Sequence, residues 1–381
     1  MPCRPLAIAT LAACLGLVAC AAPPASVIDG DSGTEASDAA PPAIADASSS
    51  LDASRQTGGP DATTAQADAS SAGPDAGRDW SQHPAIVQLD TTQDLWALGD
   101  VHGDYDRMTA LLAAAGIAPV PAQPSAAQWS AGGAVLVCTG DLIDKWTQSL
   151  PVLAYLQALA SSATASGGQV IVTMGNHEAE FLADPSGTKT ADFVTELNAA
   201  GISPASVASG AHPLGQYLRA LPFAARVNDW FFAHAGNTSG ATLANLEASL
   251  RAGVDAYGYG APILSDANSI LEYKLDSPAP WWEVAGKDPA TVLAQYATAV
   301  SATHIVEGHQ PGSVTFSDGT KRAKGTLFQK FGEIFLIDVG MSRGVDDSAG
   351  ALLHIQRNAA TGKTTASVVL PSGASSVLWS N

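Results

Sequence analysis

The chain has 381 residues, 46% of them hydrophobic, with 36 acidic side chains against 18 basic ones and a formal net charge of −18. Such an acidic balance, with no Lys/Arg cluster, excludes binding that works by neutralising a phosphate backbone, so nucleic acid is not an expected partner. The length permits two or three domains, but composition shifts so sharply along the chain that it has to be divided before domains are counted.

Residues 1–20 form the first unit. One early charge, Arg4, precedes an apolar run from Leu6 to Ala19 that is too short to span a bilayer and has the shape of a secretory signal. Its end, Leu17-Val18-Ala19-Cys20, resembles the lipobox of bacterial lipoproteins, which implies a lipid on Cys20; Leu11-Ala12-Ala13-Cys14 fits the pattern with a shorter apolar region. The expectation is an exported protein, anchored by lipid to a bacterial membrane and facing the periplasm or the cell surface. Residues 21–82 are Ala, Ser, Asp, Gly, Pro and Thr with scarcely a large apolar side chain. They cannot bury enough surface to offset ordering entropy and read as a disordered tether, which also holds much of the negative charge. If Cys3 and Cys14 leave with the signal and Cys20 is acylated, Cys138 is the one remaining free thiol, and the fold is held by its core. Residues 83–381 suffice for one large domain, expected as a monomer.

Within that domain, apolar runs of strand length occur at 95–98, 134–138, 170–174, 230–233, 304–307, 334–337, 351–355 and 366–370. Helical patterns lie between the earlier ones, at 104–115, 149–160, 191–200, 214–220, 241–252 and 289–300. The early alternation predicts parallel βαβ units, and the closing run of strands predicts a second, more antiparallel sheet. Together they describe an α/β (α+β) protein, a four-layer α/β/β/α sandwich with helical insertions.

Five of these strands run directly into a metal-type ligand. The continuations are Gly99-Asp100-Val101-His102-Gly103-Asp104, Gly140-Asp141-Leu142-Ile143-Asp144-Lys145, Gly175-Asn176-His177-Glu178, Ala233-His234-Ala235-Gly236 and Gly308-His309-Gln310. Ligands at the carboxyl ends of neighbouring strands converge on one crevice however far apart they are in sequence. Carboxylate, imidazole and one amide oxygen suit manganese, iron or zinc, and Cys138 is not among the donors. Two such ions about 3.5–4 Å apart need a bridging carboxylate and serve in-line displacement at phosphorus.

The series GDVHGD, GDLID, GNHE, HAG and GH, in that order, resembles the calcineurin-like metallophosphoesterase superfamily, most nearly its PPP-type, Ser/Thr phosphatase-like branch. The resemblance implies two divalent ions, with Asp100 and His102 on the first, Asp141 bridging, and Asn176, His234 and His309 on the second. It implies a metal-bridging hydroxide as nucleophile, His177 as the general acid that protonates the leaving alkoxide, and Asp144 as the carboxylate orienting it. A carboxylate-held imidazole titrates near working pH, and a positioned proton donor is worth roughly 10²–10⁴ in rate.

Two departures concern phosphate recognition. Where the branch has Asp-Arg-Gly, this chain has Asp144-Lys145-Trp146, and lysine offers charge without the bidentate fork of arginine. Where an aromatic pair precedes arginine, it has Trp281-Trp282-Glu283. Lys145 and Arg343 are the candidate substrate contacts. His83, His212, His304 and His354 read as ordinary packed or surface histidines, Cys138 as a small hydrophobe, Trp281 and Trp282 as core or rim, and Asp104 and Glu178 as helix caps. The expected function is hydrolysis of phosphate monoesters, on phosphoprotein or small molecules. The alternatives are a phosphodiesterase or dinucleoside polyphosphate hydrolase on the same centre, and, from another class, a tethered non-catalytic binding protein.

Overall fold

A computed structural model describes residues 78–276 and 279–381. The signal expected over 1–20, its lipid-bearing Cys20, and the tether as far as residue 77 lie outside the described residues. The last residues assigned to the tether are part of the fold. Arg78 donates from Nε to the His83 carbonyl at 3.2 Å and from Nη2 to the Leu221 carbonyl at 3.0 Å, and Trp80 Nε1 donates to Asp255 Oδ1 at 2.9 Å. The fold therefore includes residues ahead of His83, because the Arg78 guanidinium finds carbonyl partners that a solvated linker would lack.

Strand β1 (Ile86–Leu89) is followed by β2 (Leu95–Leu98), helix α1 (Tyr105–Ala114), β3 (Val135–Cys138), α2 (Ser149–Ala165), β4 (Gln169–Val172) and α3 (Asn176–Ala183). This is the alternation that the sequence predicts: β2, β3 and β4 pair in parallel. Both β2 and β3 are buried along their whole length, as strands covered on two faces must be. Asp104 caps α1, accepting from Arg107 N at 3.3 Å. Helices α4 (Ala191–Ala199), α5 (Pro204–Ala208) and α6 (Pro213–Ala220) lead into the antiparallel pair β5 (Ala224–Val227) and β6 (Trp230–Ala233). Helices α7 (Leu243–Tyr257), α8 (Pro262–Ser265) and α9 (Pro289–Ala299) precede β7 (His304–Glu307). The chain then forms β8 (Val314–Thr315), β9 (Lys321–Arg322), β10 (Phe328–Lys330), β11 (Ile334–Leu336), β12 (Leu352–Arg357), β13 (Thr364–Val369) and β14 (Ser375–Ser380).

Two six-stranded sheets result, ordered β14-β13-β12-β2-β3-β4 and β1-β5-β6-β7-β11-β10, with helices around them as in a metallophosphoesterase sandwich. One expectation is corrected. The closing strands do not make a sheet of their own: β12 pairs antiparallel with β2, Leu352 opposite Leu98 and Ile355 opposite Leu95, and β13 and β14 extend that sheet. With β3 on one side of β2, its other edge offers unpaired backbone groups, and β12 satisfies them. The second sheet is mixed, and three of its members are absent from the predicted strands: β10, three residues long, and β1 and β5. The last two are four residues long, and Ala-Ala-Arg-Val lacks the β-branched signature of a strand. Among the described residues, no helix is long and apolar enough to cross a membrane.

Candidate active site

The ligand-bearing loops leave a triplet of neighbouring strands in one sheet and a neighbouring pair in the other, at their carboxyl ends. In the first sheet β2 leads to Asp100 and His102, β3 to Asp141 and Asp144, and β4 to Asn176 and His177; in the second, β6 leads to His234 and β7 to His309. The sheets are tied together at this point. His234 Nδ1 contacts the Thr139 carbonyl at 2.9 Å, and the Asp100 carboxylate accepts from His309 N at 3.0 Å. Two glycines make the approach possible. A Cβ on Gly140, whose φ is 97°, would collide with the Gly175 backbone, and one on Gly175 would collide with Asp141. Five of the ten described non-glycine residues at positive φ are His102 (44°), Asp141 (49°), Asp144 (69°), Lys145 (64°) and His309 (65°). Backbone strain is thus concentrated on the residues singled out from the sequence, the usual mark of a site that the surrounding fold must hold in place.

All six proposed metal ligands meet in one cluster, five of them buried and His309 half-buried. Asp141 Oδ2 stands 3.4 Å from His102 Nε2 and 3.4 Å from His234 Nε2, the position a bridging carboxylate would take. Asp100 Oδ2 lies 3.9 Å from His102 Nε2. His234 Nε2 also faces Asn176 Oδ1 at 3.0 Å and His309 Nδ1 at 3.1 Å. Two groups of donors, His102 with Asp141 and His177, and Asp141 with His234 and His309, each gather one atom per residue within 4.8 Å, and they share Asp141. The tautomers follow from the outer contacts. His102 Nδ1 lies 3.1 Å from the Ile143 carbonyl, and His234 Nδ1 is held by Thr139, so each imidazole turns a lone pair from Nε2 toward the carboxylates. Lone pairs converging on lone pairs are a poor hydrogen-bond network and a good cradle for cations.

Electrostatics agree. Burial, followed by the charges of Asp338 and Asp141, raises Asp100 well above the ordinary carboxyl range. Burial opposes ionisation of Asp141 too, but His234 and then His177 outweigh it and hold that carboxyl well below the usual range. Burial drives His102 down to about 4, and burial with the neighbouring His234 drives His309 down to about 3, so both rings remain neutral donors. Burial works against a charged His234 as well, but Asp141 outweighs it and raises that pKa. The donor set, the shared carboxylate and the neutral His102 and His309 rings fit a two-cation centre.

Beside it, His177 Nδ1 lies 3.3 Å from Asp144 Oδ2, while Asp144 Oδ1 accepts from Phe193 N at 3.0 Å. The His177 backbone N–H donates to Asp141 Oδ1 at 3.0 Å. Burial works against a charged His177, but Asp141 and the bond to Asp144 more than offset it and raise the pKa. Lys145 is exposed immediately after Asp144.

Arg343 is placed differently from expectation. Its Nε and Nη2 donate to the two oxygens of Asp104 at 2.8 and 2.6 Å, and Nη2 also reaches Asp106 at 2.9 Å. The fork is engaged by carboxylates of this chain, because Asp104 is fully buried and needs a counter-charge. Glu283 accepts from Ser317 N at 3.0 Å, and Trp281 and Trp282 are buried, so this stretch is structural.

Two residues carry more than the sequence conveys. Glu178, read as a helix cap, accepts from Gly175 N at 2.8 Å and also from Asp141 N at 2.9 Å, Leu142 N at 2.7 Å and Ile143 N at 3.2 Å. It therefore shapes the loop that presents Asp141. Asp338 is buried against Asp100, and burial raises it to about 6. It follows β11 and precedes Gly340, so the strand–acid–glycine pattern that marked the other loops was there to mark it.

Comparison with known proteins places this arrangement. The model of the calcineurin-like phosphoesterase family matches residues 94–319, more than half of the chain. Shewanella-like protein phosphatase 2 of Arabidopsis thaliana is 30% identical over 103 residues, 26% of this chain and 25% of that protein. The symmetrical bis(5'-nucleosyl)-tetraphosphatase of Cronobacter sakazakii is 33% identical over 105 residues, 27% of this chain and 30% of that protein. The aligned part is thus under a third of either relative. A cold-active protein-tyrosine phosphatase of a psychrophilic Shewanella has the same fold, with a TM-score of 0.57 at 22% identity over 77% of this chain and 84% of its own. With its strand-end ligands gathered in one cluster and the family model spanning them, the chain belongs to the calcineurin-like phosphoesterase family, hydrolases that act on phosphate esters.

Proposed function

We propose that the protein hydrolyses phosphate monoesters, with His177 as general acid and Asp144 as the residue that orients it. The observation that supports this most directly is the 3.3 Å contact between His177 Nδ1 and Asp144 Oδ2, one residue from the proposed ligand Asn176. A carboxylate on Nδ1 leaves Nε2 to carry the proton toward a leaving alkoxide, and it favours the protonated ring. Asp100, His102, Asp141, Asn176, His234 and His309 would hold two divalent ions, of manganese, iron or zinc, which when bound supply an activated water and neutralise charge on the phosphoryl group. Asp141 would serve both ions, and Phe193 N, by bonding the second oxygen of Asp144, fixes that carboxylate against rotation. Lys145 is the exposed cation nearest in sequence to the acid pair and would meet the phosphate as a point charge.

The test is turnover of p-nitrophenyl phosphate by metal-depleted protein after manganese, iron or zinc is restored. His177→Asn should lower kcat by roughly 10²–10⁴ on an alkyl phosphate and by less on p-nitrophenyl phosphate, whose leaving group needs little protonation. Equal losses on both esters would remove His177 from the role of acid. A second reading, cleavage of dinucleoside polyphosphates or diesters, is favoured by the likeness to the Cronobacter tetraphosphatase. Faster turnover of bis-p-nitrophenyl phosphate or diadenosine tetraphosphate than of p-nitrophenyl phosphate would favour it.

A further inference from the structure

A cleft of about 350 Å³ lies between the loop that follows β6 and helices α7 and α8. Two of its walls are continuations of segments that serve the metal cluster. One wall is Asn237, Thr238 and Ser239, reached three residues after His234. The other is Asn268, Ser269 and Ile270, and Ile270 is fastened to the first wall by its carbonyl, which accepts from Ala235 N at 2.8 Å. The same segment runs on to Glu272, 4.0 Å from Lys189, and to Leu275, whose N–H donates to the side chain of Gln310 beside His309 at 2.5 Å.

The lining has a definite chemistry. Leu246 and Ile263 give apolar surface, the amides and hydroxyls are neutral, and Asp266 is the one charged side chain. Thr238 is 2% exposed, and its hydroxyl is buried without a hydrogen-bond partner, which leaves a polar atom in the wall unsatisfied. The volume falls within the usual range of ligand pockets, roughly 300–1,000 Å³. A second phosphate would meet a carboxylate here and no cation, whereas an uncharged or cationic organic group would find apolar walls, hydrogen bonds and a counter-charge.

We infer that this cleft receives the organic part of the phosphoester, and that it selects uncharged or cationic groups over anionic ones. The inference rests on the phosphoesterase reading above and gives it a substrate class: esters whose non-phosphate portion carries no further negative charge next to the scissile bond.

The test uses the full chain and two phosphoserine peptides that differ only in a lysine or a glutamate at one flanking position. The wild type should favour the lysine peptide in kcat/KM, by about two- to fivefold for one exposed charge pair. Asp266→Lys should remove or invert that preference. Ser249→Trp, which fills the cleft from α7, should raise KM for both peptides by roughly tenfold, as expected when a buried contact is lost. Turnover of p-nitrophenyl phosphate, too small to fill the cleft, should remain within about twofold in both variants. Calorimetric binding of the unphosphorylated lysine peptide provides a second readout that needs no turnover, and both variants should weaken it. Peptide selectivity unmoved by Asp266→Lys, or peptide binding unmoved by either variant, overturns the inference. Loss of all hydrolysis by the wild type, with variant-sensitive peptide binding retained, would instead defeat the phosphoesterase reading and leave the cleft standing.

Discussion

Glu178 shows how much of the site hangs on one side chain that is not a ligand. Its two oxygens satisfy four backbone amides, those of Gly175, Asp141, Leu142 and Ile143, in a fully buried position. In Glu178→Gln the amide nitrogen faces donors that need an acceptor, so one oxygen's share of those bonds is lost while size and shape are kept. The loop holding Asp141 should loosen, and metal affinity should fall by about 10–100-fold, the usual cost of removing a residue that orients a ligand. Metal retained after dialysis measures this directly, and excess manganese should restore turnover. A variant that keeps two equivalents through dialysis would relegate Glu178 to helix capping. The six proposed ligands were legible in the sequence because each follows a strand and has a glycine within two residues. The work of Glu178 was not, because its partners are backbone amides, which look alike in every sequence. Asp338 carries the same local signature, a strand followed by an acid and a glycine, and what that signature does not record is its proximity to Asp100, which belongs to the other sheet.

The loop after β11, residues 338–350, passes close to the site and is held by two arginines of this chain. Arg107 donates from Nη1 to the carbonyls of Met341 and Ser348, both at 2.8 Å, and Arg343 forks onto Asp104, the residue that caps α1. Arg343 also lies over the Trp146 ring at 4.8 Å, which joins this loop to the one bearing Asp144. Its task is then to fasten loops. Arg343→Ala should lower the melting temperature by roughly 2–4 °C, corresponding to loss of about 1 kcal/mol in a domain of this size. It should leave KM for p-nitrophenyl phosphate within about twofold. A large rise in KM at unchanged melting temperature would mean that the guanidinium leaves Asp104 to bind phosphate. Elements were legible where side chains repeat a period: β2 and β3 as unbroken apolar runs, α1, α7 and α9 by their caps and spacing. Edges and pairings were not, since the attachment of β12 to β2 is decided by which backbone edge is open, and Ala-Ala-Arg-Val becomes a strand because β1 and β6 flank it.

The chain that enters the domain is fastened where the second sheet begins, and Arg78 and Trp80 act at that point. The Arg78 guanidinium spans the His83 and Leu221 carbonyls, just before β1 and just before β5, which are paired strands. Trp80 lies against that guanidinium, 4.5 Å from ring centre to Cζ, and ties it to α7 through Asp255. A composition-based boundary at His83 cuts this staple away, because Arg and Trp stand at the end of a stretch otherwise typical of disorder. Hydrogen bonds from a charged, partly buried group are worth about 1.5–3 kcal/mol together with the stacking, less what solvent returns to the freed carbonyls. A fragment beginning at His83 should therefore melt roughly 5 °C below one beginning at Arg78. The deficit should appear in the longer fragment too once it carries both Arg78→Ala and Trp80→Ala, which separates loss of the staple from mere change of terminus. Metal content should be equal in all of them when they are folded, since neither residue touches the ligand loops. Coincident melting of the two fragments would show that β1 and β5 hold their register without help from the segment that precedes them.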